Sequence, residues 1–297
     1  MKINELAAPV INNLIETSGI KFDDVDELIV SNALGAGGNP ARSIALASKL
    51  PERVAGLSID RQCVGGLDAI LLGIKLVQAG SANVVVAGGV ESFSNRPIRL
   101  AQEYDKILVP YDAPAFTPNL YQEIQMAEAA FNIAEKFGFT QMDQDMFAIN
   151  SHVNALKSKK YLIDEIVNIG PENTLFDPYA RNLNLKLCER APKLFGSITY
   201  ANTAISADAA SFVVICRNII KGRKALKLIS GATVGANPKL PGLAPLTAIE
   251  EVFQASGLRQ KNINQVEVME AYASQAMACL SESGLGNVKT NPKGGAL

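Results

Sequence analysis

Apolar residues return every three to four positions through Glu5–Thr17, where Val10, Ile11, Leu14 and Ile15 form one stripe. That spacing predicts an amphipathic helix. Gly19 ends it, as a residue free to take a left-handed conformation commonly does. A polar link at Asp23–Asp26 leads to the strand Glu27–Ser31, a glycine-rich loop at Gly35–Pro40 and a helix over Ala41–Lys49. Val54–Asp60 reads as strand, Gly66–Ala79 as helix and Asn83–Ala87 as a second strand. The unbroken run Val84-Val85-Val86 marks a strand covered on both faces, which predicts a parallel sheet built on a βαβ unit. In the intervening helix Leu67, Ile70, Leu71, Leu72, Ile74, Leu76 and Val77 leave little polar surface, so it is expected in a buried layer.

From Pro97 to Pro192 the pattern is less regular, with Pro110, Pro114 and Pro118 and helices near Met126–Phe137 and Asp143–Lys159. This reads as an insertion lying over a scaffold. Strand character returns at Gly196–Asn202 and Ala209–Cys216, followed by a helix near Asn218–Arg223 and a strand at Ala225–Ile229. One stretch repeats. When Val10–Ser31 is laid beneath Ala248–Met269, Ser18-Gly19-Ile20 falls on Ser256-Gly257-Leu258 and Val25-Asp26-Glu27-Leu28 on Ile263-Asn264-Gln265-Val266. Both copies read helix, Ser-Gly stop, polar link, strand, which points to a duplicated α/β half.

Composition narrows the function classes. Twenty-eight basic against 29 acidic residues give a net charge of −1, without the cationic excess that nucleic-acid or anionic-membrane binding uses. No apolar run is long enough to span a bilayer and no secretory leader is visible, so a cytoplasmic protein is expected. Cys63, Cys188, Cys216 and Cys279 lack CxxC spacing, which speaks against a zinc site or a disulfide framework.

The chemistry centres on Arg61-Gln62-Cys63-Val64-Gly65-Gly66-Leu67, between a predicted buried strand and a helix. Two glycines permit a tight turn and close approach of a ligand to the backbone. A thiol at a helix start meets unpaired N–H groups that favour thiolate, and the same groups can face a developing oxyanion. A lone cysteine is as often a packed core residue. On these residues alone the two readings stand level.

The wider sequence resembles the thiolase family. Asn39-Pro40-Ala41-Arg42 is similar to that family's N-P-A-R stretch, and Cys63-Val64-Gly65-Gly66-Leu67 to its nucleophile motif. The most specific match is Ala79–Ser92, close to A-G-x-A-x-V-V-V-A-G-G-M-E-S. Met126 with Asn132-Ile133-Ala134 resembles the coenzyme A loop, Asn202 and Asp208-Ala209-Ala210 the G-N-A-S…D-G-A-A segment, and Glu270–Gln275 the N-E-A-F-A-A-Q stretch. Ala232-Thr233-Val234-Gly235 with Pro238 is similar too. The resemblance implies an α/β thiolase fold of two duplicated halves, layered α-β-α-β-α. Residues 1–96 and 196–238 would form the first half, 97–195 a loop insertion covering coenzyme A, and 239–297 an incomplete second half.

It further implies acyl transfer between coenzyme A thioesters, either acetoacetyl-CoA formation or 3-ketoacyl-CoA thiolysis. Cys63 would be the nucleophile, Met126, Asn202 and Ser230 would lie on the coenzyme A side, and Gly65, Gly66 and Met269 would border the oxyanion region. No metal or other cofactor is expected beyond the thioester substrates, and the expected assembly is a homodimer or homotetramer. Three departures qualify this. Met269 stands where the family has an oxyanion-binding Asn, and methionine has no N–H or O–H to donate. Gln125 stands where some members have a His near the coenzyme. The family's opening strand, its G-H-P histidine and its second catalytic cysteine are not matched within the 297 residues, and the sole His152 reads as a surface residue of a polar helix. Cys279 reads as packing. The alternative is a catalytically degenerate relative that only binds coenzyme A or a partner subunit.

Overall fold

The computed structural model describes all residues except 36, 103–106, 113, 119–122 and 171–175. The expected Gly35–Pro40 loop and 97–195 insertion therefore fall partly outside the described residues. In chain order the elements begin with α1 (Ile3–Ser18), β1 (Glu27–Ser31), α2 (Pro40–Ala47), β2 (Ala55–Ile59), α3 (Gly65–Gln78) and β3 (Val84–Ser92). An antiparallel pair, β4 (Arg99–Gln102) and β5 (Leu108–Tyr111), precedes α4 (Met126–Phe137), α5 (Gln141–Leu162) and α6 (Leu185–Cys188). Next come β6 (Lys193–Phe195), β7 (Ile198–Thr199) and β8 (Asp208–Cys216). The chain closes through α7 (Ala244–Ser256), β9 (Gln265–Val266), α8 (Ala273–Glu282) and β10 (Lys289–Thr290).

The chain divides into two compact units. The first is built mainly from Met1–Pro114 and Ser206–Lys227. Its sheet has the order β2-β1-β3-β8, with β1 parallel to both β2 and β3 and β8 antiparallel to β3. Alternation along the strands sorts side chains to two faces. Leu28, Val30, Val86, Val90 and Phe212 pack with Ala7, Ile11 and Ile15 of α1 and Ala41 and Ile44 of α2. Ile29, Val85 and Ala87 pack with Ala69 and Val77 of α3. The predicted βαβ unit is present, with a helical layer on each face. The expectation that α3 is buried all round holds on one side only: Ala69, Leu71, Gly73 and Val77 are buried, whereas Leu67 is 63% exposed.

The second unit is formed mainly by Ala115–Asn168, Glu172–Ile205 and Leu228–Leu297. Helices α4 and α5 both pack against α8. Its core joins Ala148 of α5 to Leu183, Cys188, Ala201, Ala273 and Leu297.

The repeat read from the sequence is visible in local structure. Helices α1 and α7 both end on a left-handed glycine, Gly19 (φ 85°) and Gly257 (φ 68°). The preceding serine hydroxyl accepts from the amide two residues on in each copy, Ser18 from Ile20 (3.1 Å) and Ser256 from Leu258 (3.2 Å). A 3₁₀ turn follows at Phe22–Asp24 and at Gln260–Asn262, and then β1 and β9 begin at matching positions. The copies then diverge, because β1 lies between two partners while, among the described residues, β9 pairs only with β10, over two residues. Three expected elements are absent or shorter. Gly196–Asn202 is not one strand but a turn around the two-residue β7, which pairs with β6. Asn218–Arg223 is not helical, and Ala225–Ile229 is not a strand.

Candidate active site

The Cys63 turn follows β2 directly. Gln62–Val64 forms a 3₁₀ turn that runs into α3, and Gln62 takes the left-handed backbone (φ 49°) that side chains other than Gly rarely adopt. The Gln62 amide donates to Asp60 Oδ1 at 2.8 Å, and the Gly65 amide donates to the Gln62 carbonyl, so the turn is tied on both sides. Arg61 forms an ion pair with Asp68 in the first turn of α3. Gly65 is demanded by its surroundings, since a Cβ there would sit 1.9 Å from Ser31 Oγ at the end of β1. Around Gly66 the space is open to 4 Å. Cys63 itself is exposed, at the start of a helix and with a small-residue backbone beside it.

The other matched motifs of this unit are brackets around the turn and its sheet. Asn39 caps α2, its Oδ1 accepting from the Arg42 amide (3.1 Å) and from Ser58 Oγ (2.7 Å), while its Nδ2 donates to the Gly56 carbonyl (2.8 Å). Arg42 Nη1 donates to the Val54 carbonyl at 2.8 Å. The N-P-A-R stretch thus fastens α2 to β2, the strand that delivers Cys63. Glu91, at the end of β3, accepts from the amides of Ala33 and Leu34 behind β1. Burial raises its pKa above the ordinary carboxylate value, against the lowering effect of those two amides. A cavity of about 250 Å³ in this unit is lined by residues including Leu34, Arg96, Arg99, Pro110 and Tyr111; Cys63 is not part of it.

The remaining expected site residues lie in the second unit. Met126 opens α4 and is 38% exposed, and Ser230 lies half-buried outside any helix or strand. Met269 is 53% exposed. Asn202 is fully buried, with its Nδ2 donating to Asp145 Oδ1 (3.0 Å) and the Ser197 carbonyl (3.2 Å) and its Oδ1 accepting from the Thr199 amide (2.9 Å). Those bonds give it a framing role, with no polar atom turned to an open surface. His152 corrects the surface reading: it is 1% exposed, against the Tyr179 ring, with Nδ1 accepting from the Arg181 amide at 3.4 Å. Burial, helped by the Arg181 charge, lowers its pKa. Cys279 is buried as expected, its thiol directed at the Gly242 carbonyl at 3.3 Å. Sequence reasoning placed Glu270 in a matched stretch but gave no role to it, to Ser151 or to Asn291, and these three meet in a buried network. The Gly-Gly of Asn291–Leu297 was the available signal, since glycine pairs mark close backbone approach.

Among the described residues no group of His, Cys, Asp and Glu side chains is arranged to hold a metal, and no helix is long and apolar enough to cross a membrane.

The chain is similar to known proteins over nearly its whole length. The chain is 32% identical to a Staphylococcus haemolyticus protein provisionally named acetyl-CoA C-acetyltransferase VraB, across 98% of the chain and 80% of that protein. It is 31% identical to Bacillus subtilis YhfS, under the same provisional activity name, across 99% of the chain and 79% of YhfS. The crystal structure of the Bacillus anthracis acetyl-CoA acetyltransferase superposes with a TM-score of 0.88 at 29% identity, covering 99% of this chain and 80% of that one. The thiolase N-terminal domain matches residues 1–218 and the thiolase C-terminal domain residues 223–297. With both domains matched in order over nearly its whole length, the chain belongs to the thiolase family.

Proposed function

We propose that the chain is a thiolase-type acyltransferase that takes an acyl group from an acyl-CoA onto Cys63. The observation that carries this is the exposed thiol on the tied 3₁₀ turn at the start of α3. The Cys63 thiolate attacks the thioester carbonyl, a new S–acyl bond forms, and coenzyme A leaves as a thiolate that takes up a proton. Gly65 and Gly66 leave room for the carbonyl oxygen beside the helix start. Met126 and Ser230 are the proposed contacts on the coenzyme A side, and a homodimer or homotetramer is the proposed assembly. The step needs no metal or prosthetic group.

Carbon–carbon bond formation needs more. It requires a base at the α-carbon, typically worth about 10²–10⁴-fold, and a donor to the enolate oxygen, worth about 10²–10³-fold. Within these 297 residues the sole imidazole is buried with a lowered pKa, and position 269 is a methionine. This favours, for the 297-residue chain, acylation without efficient condensation. The second reading, a protein that only binds coenzyme A or a partner subunit, draws on the same two residues. Intact mass spectrometry after incubation with acetyl-CoA separates them: an acetyl adduct that disappears in Cys63→Ala supports the acyltransferase, and an unmodified protein that still binds coenzyme A supports the second reading.

A further inference from the structure

Helix α5 lacks an apolar stripe, yet it is not a solvated helix. Its buried positions, Gln144, Asp145, Ala148, Ser151, His152 and Ser158, fall on one face at helical spacing, and all but one are polar. Ala148 packs against α6 and α8, but the polar side chains of that face find their hydrogen-bond partners in loops. Asp145 holds Asn202, and Asn154 Nδ2 donates to the Asn291 carbonyl at 3.2 Å. Ser151 Oγ donates to Glu270 Oε2 at 2.7 Å and accepts from the Gly295 amide at 2.9 Å.

Glu270 is the hub. It is 1% exposed and also accepts from Asn291 Nδ2 (2.6 Å) and from the Leu297 amide (3.2 Å). Its three donors, the Ser151 hydroxyl, the Asn291 side-chain amide and the Leu297 N–H, are neutral. A buried carboxylate held by neutral donors is a poor source of stability compared with an apolar residue of similar volume. What it supplies is direction, because its lone pairs join three separate segments. The backbone is shaped around it: a Cβ on Gly295 would lie 2.0 Å from Glu270 Oε2, and a Cβ on Gly294 would lie 2.6 Å from Ala155 Cβ. On the other side of position 269, the Asn291 side chain grips Val268, accepting from its amide (2.8 Å) and donating to its carbonyl (2.9 Å). Residue 269 is therefore clamped through both neighbours while its own side chain points outward, 53% exposed.

We propose that Glu270, through Ser151 and Asn291, is a positioning residue that holds the peptide carrying position 269 and the segment Asn291–Leu297 in one register against α5, presenting both to the acyl-CoA. The presentation rests on the acyl-transfer reading above; the clamp does not. Glu270→Gln puts an NH₂ where the Ser151 hydroxyl and the Leu297 amide now donate, and Ser151→Ala removes the link to Glu270 and Gly295 while leaving the carboxylate in place. Ser151→Thr keeps a hydroxyl.

The experiment compares the full chain with these three variants. Amide hydrogen exchange is read over peptides 266–272 and 291–297, and acetyl exchange between acetyl-CoA and labelled coenzyme A gives kcat and KM. In Ser151→Ala and Glu270→Gln, exchange in the two peptides rises tenfold or more, with α1 and β3 unchanged. KM for acetyl-CoA rises several-fold, with the rate of Cys63 alkylation by iodoacetamide unchanged. Ser151→Thr returns both toward the parent. Parent-like exchange in the folded Ser151→Ala protein overturns the clamp, and so does a KM loss that Ser151→Thr fails to reverse. If the parent takes up no acetyl group, the acyl-transfer reading fails by itself, and the hydrogen exchange still decides the clamp.

Discussion

Gly65 and Ser31 stand so close that a single methyl group cannot fit between them: a Cβ on Gly65 would lie 1.9 Å from Ser31 Oγ. The strand end that carries Ser31 therefore sets where α3 begins, and hence where Cys63 is displayed. Gly65→Ala forces the Ser31 side chain or the start of α3 to shift and is expected to destabilise by about 1–3 kcal/mol, the usual range for overpacking. Gly66→Ala meets nothing within 4 Å and replaces a helical glycine, so it should be neutral or stabilising by up to about 1 kcal/mol. Urea unfolding of the two variants checks the contrast. Equal losses would remove the Ser31 contact as the reason for the glycine.

The four thiols should react in a fixed order. Cys63 is exposed and Cys216 intermediate, with its sulfur 3.1 Å from the Asn218 carbonyl. Cys279 is buried and its pKa is raised by that burial. Burial pushes the Cys188 thiol up to about 11, with the Asp145 charge adding to it. Only thiolate is the nucleophile, so iodoacetamide near neutral pH should label Cys63 first and Cys216 next, and reach Cys188 and Cys279 only on unfolding. Peptide mapping at partial labelling reads the order. Cys188 or Cys279 labelled before Cys63 in the folded protein would contradict the exposed turn.

Asn39 makes three separate bonds, one as a helix cap and two across to β2. A lost cap alone costs about 0.5–2 kcal/mol. Asn39→Ala also leaves the Ser58 hydroxyl and the Gly56 carbonyl short of a partner, so the expected loss is at the upper end of that range or above it. Asn39→Asp keeps the acceptor and loses only the donor to Gly56. It should fall between the parent and Asn39→Ala in urea midpoint; a midpoint equal to that of Asn39→Ala would assign the whole effect to the Gly56 bond.

Much of the first unit was legible because its rules are local. The βαβ pattern, the Ser18-Gly19 stop and its Ser256-Gly257 copy all depend on residues near one another in sequence. Ala225–Ile229 has strand composition, yet a strand forms only when another strand supplies its hydrogen bonds, and among the described residues none is paired with it. The polar face of α5 failed for a related reason. Periodicity equates polar with solvated, whereas Asp145 and Ser151 are covered by loops distant in sequence that bring their own donors and acceptors. The flanking glycines and the matched motif singled out Cys63, whose thiol the structure leaves exposed at a helix start, whereas Glu270 lay in a matched stretch with nothing near it in sequence to announce the Ser151 hydroxyl or the Asn291 amide.

His152 gives the protein a pH dependence with a definite sign. Its ordinary value is 6.5 and the fold lowers it, first through burial and then through the Arg181 charge, with Asp177 acting in the opposite direction. Because Nδ1 accepts from the Arg181 amide, the neutral ring carries its proton on Nε2, which has no partner among the described residues. A second proton would have to go on Nδ1, facing the Arg181 N–H it now accepts from. The unfolded chain therefore binds the proton more readily than the folded one. Stability from keeping this imidazole neutral is present above 6.5 and is lost as pH falls from there toward the lower folded value. Glu27, Glu91 and Asp145 have raised values and act oppositely, each adding relative stability as pH falls through its own folded value. They titrate with the carboxylates, so the two effects can be told apart by comparing the parent with His152→Gln, which keeps an acceptor for the Arg181 amide. The stability difference between parent and variant should be flat above about pH 7 and should shrink from about pH 6.5 downward. Urea unfolding curves at intervals across this range read it directly. A difference that stays constant with pH would mean that His152 carries the same charge in the folded and unfolded chain, and the buried, neutral imidazole described here would be wrong.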